Sequence, residues 1–324
     1  MQERHTDGRM TRRRALAMGG ALAGGLVAGG LPLAPNAVAA SRTGRRLQGT
    51  ARLPVKQIEE IVGIDGTVSS SGVLDISVGR SDIGNVAGPF GVVFDSAFEV
   101  HGDLYFQAVD GHQALLNGDM ALLPEEVNPF IAALLQQGLV FQAFHQHLID
   151  MSPQVWFVHF RAVADALALA TAVRAAIAVT KTPLPQSSPT NPTTPLDAKK
   201  LAQILHGDAQ VGEEGVVSVS VSRQHGVSLG GVHARPEAGI STSIEFKPLG
   251  SGATAAVVPD FSMTADEVMP VVKLMISQGW FQGCLYNQET DEEPQLYFDH
   301  MLKTGDAYAL AKEIRNGLDL TESD

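Results

Sequence analysis

The sequence predicts an α+β protein made of two tandem copies of one unit, and three observations predict it. Residues 118–180 align with 259–321 without a gap and agree at 18 of 63 positions, which marks an internal duplication. Both copies contain runs in which apolar residues alternate with polar ones, the period of a half-buried strand. Both also contain apolar residues at helical spacing, so helices and antiparallel strands must pack within each unit.

Each copy opens with a short helix, at 55–62 and at 197–206. An alternating strand follows, carried by Val73, Ile76 and Val78 in the first copy and by Val217, Val219 and Val221 in the second. Two further strands precede Asp119 and Asp260. Val127, Phe130, Ile131, Leu134 and Leu135 then share one helical face, and Gly138 ends that helix. In the second copy Thr264-Ala265-Asp266-Glu267 forms a capping box. Pro129 and Pro270 fall early in these helices, where a missing N–H is expected to bend them. Two strands come next, joined by a turn at 150–153 or 291–294, and a closing helix begins at Asp165 or Asp306. This order describes a ferredoxin-like unit with an antiparallel sheet, repeated about a pseudo-two-fold axis.

The expected boundaries are residues 1–39 as a signal, 40–180 as the first copy, 181–196 as a linker and 197–324 as the second copy. The linker reads KTPLPQSSPTNPTTPL, an extended, proline-rich spacer. The first segment has Thr11-Arg12-Arg13-Arg14, an apolar Ala/Gly-rich stretch to Leu33, and Ala37-Val38-Ala39. Basic region, apolar region and A-x-A site, in that order, read as a cleaved export signal of twin-arginine type. The expectation is therefore an exported protein that meets the twin-arginine machinery, with no stable membrane span after cleavage. No cysteine follows the apolar stretch, so a lipoprotein is not expected. The net charge of −12 falls to about −15 once the arginine-rich signal is removed, which disfavours a nucleic-acid partner. The single cysteine, Cys284, has no partner for a disulfide and reads as a small buried apolar residue.

The first-copy hairpin carries the most chemistry. It contains His145 and His147, two residues apart, and His159 on the returning strand. If the turn centres near Met151, residue 145 faces 157, residue 143 faces 159, and the three imidazoles come within about 8 Å of one another. Such a set suits a divalent transition metal, zinc first. In the second copy Tyr286 and Gln288 replace the first two histidines and only His300 remains. That pattern suggests one active and one degenerate site. The survival of His159 and His300 in both copies also fits a packing or hydrogen-bonding role. Asp119 and Glu126 are candidates for a further carboxylate ligand or a catalytic general base. Glu99, His101, Asp110 and His112 cluster in the preceding strands. His225 and His233 sit in a glycine-rich loop and read as solvent-facing. No phosphate loop, dinucleotide fingerprint, Gly-x-Ser-x-Gly or His-Glu-x-x-His is present in the sequence.

The residues Gly118-Asp119, Glu126-Val127-x-Pro129, His145-Gln146-His147 and Pro153-Gln154-x-x-Phe157-x-His159 resemble the LppY/LpqO family of exported bacterial proteins, whose shared domain has no known function. The chain departs from the family's pattern at Gln146, Gln154 and Gln295, and its second copy lacks the paired histidines. The resemblance implies kinship and leaves the chemistry open. Two readings follow: a metal-centred or polar site in the first copy, with metal-assisted hydrolysis as the default reaction, or a non-catalytic module for a small molecule or envelope component.

Overall fold

The computed structural model describes residues 52–188 and 192–324. The export signal expected over residues 1–39 lies outside them.

The first copy contains α1 (Val55–Val62), β1 (Thr67–Val68), β2 (Leu74–Gly79), β3 (Val86–Ala87), β4 (Val93–Phe94), β5 (His101–Asp110), β6 (Gln113–Gly118), β7 (Ala121–Leu122), α2 (Pro124–Gln136), β8 (Val140–His145), β9 (Trp156–Asp165) and α3 (Ala166–Ile177). The second contains α4 (Ala198–Leu205), β10 (Asp208–Val211), β11 (Val217–Val221), β12 (Val227–Leu229), β13 (Val232–Ala234), β14 (Thr242–Pro248), β15 (Thr254–Met263), α5 (Ala265–Ser277), β16 (Phe281–Tyr286), β17 (Glu292–Glu293), β18 (Tyr297–Asp306) and α6 (Ala307–Leu318). The fold is α+β with antiparallel sheets, as the alternating patterns predict.

The two main sheets have the same plan. One runs β1-β2-β5-β6-β9-β7 with β8 also on β9, and the other runs β10-β11-β14-β15-β18-β16. The copies differ in their embellishments. The first adds the β3–β4 pair, and the second adds a small sheet of β13, β12 and β17.

Local chemistry explains the helix ends. Asp165 accepts hydrogen bonds from the N–H groups of Leu167 and Ala168, and Asp306 does the same for Tyr308 and Ala309. Each side chain satisfies donors that the first turn leaves open. Thr264 and Glu267 form the capping box that starts α5. Both α2 and α5 run on through Pro129 and Pro270. Each helix yields to a left-handed glycine two residues past its end, Gly138 at φ 77° and Gly279 at φ 84°.

The period of two decides the layering. On β5, Leu104 and Phe106 join α1, α2 and α3 in one apolar core, with Val158 and Phe160 from β9. On β14, Ile244 and Phe246 do the same with α4, α5 and α6. The opposite faces of the sheets meet each other. One mixed cluster joins Phe94, Phe98 and Phe157 to Val216, Val258 and Leu302. A second joins Leu115 to Val227, Leu229, Ile240 and Phe298. The result is four layers, helices outside and two sheets inside. Burying each such side chain contributes roughly 1.5–3 kcal/mol. Between the two mixed clusters the inner faces are polar, and the candidate site lies there.

The linker docks on the first copy through Gln186, and Leu196 at its far end is buried in the core of the second. Gln186 accepts from Gly79 N–H at 3.0 Å and donates to the Gly79 carbonyl at 2.8 Å.

Candidate functional site

The site is built on the β8–β9 hairpin. Ala143 pairs with His159 and His145 with Phe157, the register that places His145 and His159 on one face. Their Nε2 atoms are 2.9 Å apart, so one ring donates to the other. Strand β8 ends at His145, and His147 lies in the coil beyond it. The His147 ring stacks on Phe157 with centroids 3.3 Å apart and on His300 with centroids 3.8 Å apart.

The second copy completes the cluster. Tyr286, which replaces the equivalent of His145, stacks on His145 with centroids 3.5 Å apart. His300 on β18 faces inward, and Cys284 on β16 pairs with it. The Cys284 Sγ is 3.3 Å from His300 Nδ1 and 3.6 Å from His145 Nδ1. The sequence reading confined the histidine site to the first copy, whereas the facing sheets bring His300 and Cys284 to it. The signal that could have found them is positional. His300 stands where the first copy has His159, and Cys284 stands where it has Ala143.

Carboxylates line the other side. Glu99 is 6% exposed, and its Oε2 is 2.9 Å from His147 Nδ1. Its backbone is left-handed at φ 68°, a conformation that costs a non-glycine residue about 1 kcal/mol or more. Its N–H donates to Glu245 at 3.2 Å. Each copy also supplies one Asp–His pair from equivalent positions. Asp119 lies 4.0 Å from His159 and Asp260 lies 3.5 Å from His300. Asp260 Oδ1 is buried and accepts no hydrogen bond. His101 lies 3.5 Å from Glu245. These groups surround a cavity of about 110 Å³, room for a metal ion with a few waters or a very small ligand.

Burial dominates the electrostatics. It pushes His145 down to about 3 and holds His147, His159 and His300 well below the usual imidazole range, helped by the neighbouring rings. All four are neutral at pH 7 and can offer a lone pair. Burial and then the Asp103 charge push Asp119 up to about 7. Burial followed by Glu245, Asp260 and Asp119 raises Glu99, and burial followed by Asp299 and Asp119 raises Asp260. For His101, burial opposes the charge, but Glu245, Asp103 and Asp119 outweigh it and raise the pKa. Burial also pushes the Cys284 thiol up.

The structure gathers His145, His147, His159 and Asp119 from the sequence-level candidates, together with Glu99 and His101. Glu126 is held elsewhere. It is bound by the Arg80 guanidinium at 2.8 and 3.1 Å and accepts from Leu123 N–H at the start of α2. The second copy repeats this pair as Glu267 with Arg223 at 2.9 Å. Asp110 and His112 lie exposed at the β5–β6 turn, and His225 and His233 are also exposed.

The profile of a family described as Domain of Unknown Function (DUF1259) matches residues 56–179 and again residues 199–320. The chain belongs to this family. Its two DUF1259 copies supply the two main sheets, and the candidate site lies where those sheets face each other. No curated protein matches the chain. Among solved structures, that of EtuB from Clostridium kluyveri aligns at 9% identity over 78% of this chain and 90% of that one, with a TM-score of 0.18. That likeness is too slight to bear on the fold or function of the DUF1259 pair.

Proposed function

We propose that the protein binds a divalent transition metal at the junction of its two DUF1259 copies. The observation that carries this reading is the convergence of Glu99, His147 and His300. Their donor atoms all lie within 4.8 Å of one another; Glu99 and His300 are buried and the His147 side chain is 12% exposed. Ligands around a tetrahedral zinc sit about 3.3–3.6 Å apart, so small side-chain movements close the set. Two histidines and one carboxylate suit zinc, and also iron(II). The buried Glu99 and the half-buried Asp119, Glu245 and Asp260 repel one another, and a cation relieves that repulsion. His145 and His159 lie alongside as further ligands or as rings that orient them. An open position on the metal would face the cavity, where Asp119 could serve as a base in metal-assisted hydrolysis. The same cavity suits a rival reading, a metal-free module for a small molecule. Its volume of about 110 Å³ is well below the usual ligand site of roughly 300–1,000 Å³.

The test is elemental analysis of the protein purified without a polyhistidine tag, beside His145→Ala/His147→Ala and Glu99→Gln variants. Near-stoichiometric metal in the wild type and little in the variants supports the centre. Folded wild type without metal, even after exposure to zinc and iron(II), overturns it.

We further propose that this protein is an exported member of the LppY/LpqO group, carried by a twin-arginine signal in residues 1–39. The motif Thr11-Arg12-Arg13-Arg14 and the Ala37-Val38-Ala39 site support this. An envelope component or small molecule is the partner class that follows from export. Replacing Arg12 and Arg13 by lysine should retain the protein inside the cell, and N-terminal sequencing of the exported form should begin near residue 40.

A further inference from the structure

The reading of the junction as a metal centre leaves Cys284 unexplained. In the first copy the position opposite the shared histidine is Ala143, paired with His159. In the second copy it is Cys284, paired with His300. The duplication therefore carries a donor at this position in one copy only, the reverse of its pattern at 145 and 147. Both strands shift register just before this residue, between Phe141 and Ala143 and between Gln282 and Cys284. Such bulges re-aim side chains and recur beside functional sites. In β16 the shifted residue is Gly283, where a Cβ would lie 2.3 Å from the His147 carbonyl oxygen and 2.7 Å from that of His300. Only glycine lets the His147 coil rest on β16, and that contact brings the two copies' donors together.

The distances are informative. With Zn–S near 2.3 Å and Zn–N near 2.05 Å, sulfur and nitrogen on a tetrahedral ion lie about 3.6 Å apart. Cys284 Sγ is 3.3 Å from His300 Nδ1 and 3.6 Å from His145 Nδ1, and the three donors form a converging set. If His145 ligates through Nδ1, giving up its 3.2 Å contact with the Gln146 carbonyl oxygen, its Nε2–H is left to donate to His159 Nε2 at 2.9 Å. Ligating histidines commonly have such an orienting partner on the second nitrogen.

We propose that Cys284, His145 and His300 form a thiolate-containing metal position spanning the two copies, which selects a thiophilic ion such as copper(I) or zinc. This rests on the metal reading above and adds the donor that sets metal preference, because thiolate favours soft and borderline ions. On binding, the S–H bond breaks, the S–metal bond forms and the proton leaves to solvent. His159 is a positioning residue for His145.

The experiment loads the reduced full-length protein with cobalt(II) and, separately, with copper(I) held by a competing chelator. Wild type is compared with Cys284→Ala, which installs the residue that the first copy tolerates, and with Cys284→Ser. The expected result is a thiolate-to-cobalt charge-transfer band in the near ultraviolet in wild type and none in either variant. Copper(I) affinity should fall at least about tenfold in the variants, with unchanged melting of the metal-free proteins. Cobalt bound without a thiolate band, and copper(I) affinity unchanged by Cys284→Ala, would overturn the thiolate position while leaving the carboxylate–histidine centre standing. Failure of wild type to bind either ion would overturn both.

Discussion

Tyr286 lies face to face with His145, ring centroids 3.5 Å apart, and the two hold the same place in the two copies. Contact between like positions is the mark of self-complementary, two-fold packing. Once both copies share one chain, the two sides can differ. Here one side presents a stacking phenol and the other an imidazole. The histidines missing from the second copy therefore do not leave behind a second, empty site. The second copy forms the other wall of a shared one.

The Arg80–Glu126 and Arg223–Glu267 pairs are predicted to be structural. Arg80 is fully buried and also donates to the Ala121 carbonyl. Arg80→Met strands the Glu126 carboxylate and should destabilise by about 3–5 kcal/mol, whereas Glu126→Gln should cost less, because Asp82 still pairs with Arg80 at 2.8 and 2.9 Å. Denaturant unfolding measures the loss. Metal content per folded molecule should be unchanged, whereas a role for Glu126 at the centre would lower it.

Asp165 and Asp306 should contribute equally. Each caps a closing helix by accepting from two backbone N–H groups. Replacing either by alanine is expected to cost about 1 kcal/mol. The double variant should lose the sum, because the caps sit on separate cores. A chemical denaturation series on the three variants checks both statements.

Gly283→Ala should separate the copies locally. The added methyl meets backbone oxygens of His147 and His300, neither of which can turn away as a flexible side chain would. A loss of roughly 1–3 kcal/mol is expected, with weakened metal binding because His147 must shift. A variant that binds metal like wild type would show that the His147 coil does not shape the centre.

Glu292 should make stability fall as pH rises. It accepts from Leu296 N–H at 2.7 Å and from Gln295 at 2.6 Å, while its other oxygen is buried without a partner. Burial, reinforced by Glu289, pushes its pKa from 4.5 up to about 8. Between those values the folded state holds a proton that the unfolded chain has released, so raising pH favours unfolding. The stabilisation is complete below the unfolded value and is lost on approach to the folded one. Glu292→Gln, which mimics the protonated form, should therefore gain melting temperature relative to wild type between about pH 5 and pH 8. A constant difference across that range would show that Glu292 does not titrate there.

Much of the architecture is legible in the chain alone. Matching residues 141 positions apart, such as Asp119 and Asp260 or His159 and His300, reveal the duplication. Alternation places Leu104 and Phe106 on one face of β5, and Asp165 announces its helix, because caps and periods are local properties of a few neighbouring residues. Even the hairpin register, His145 opposite Phe157, follows from the position of one turn. The composition of the site was decided only by the tertiary structure. Periodicity shows that His145 and Cys284 each lie on one face of a strand, but not which faces will meet. That choice depends on the packing of two sheets whose partners are more than a hundred residues apart. It brought Cys284 to His145 and Glu99 to His147, and it left Glu126 bound to Arg80.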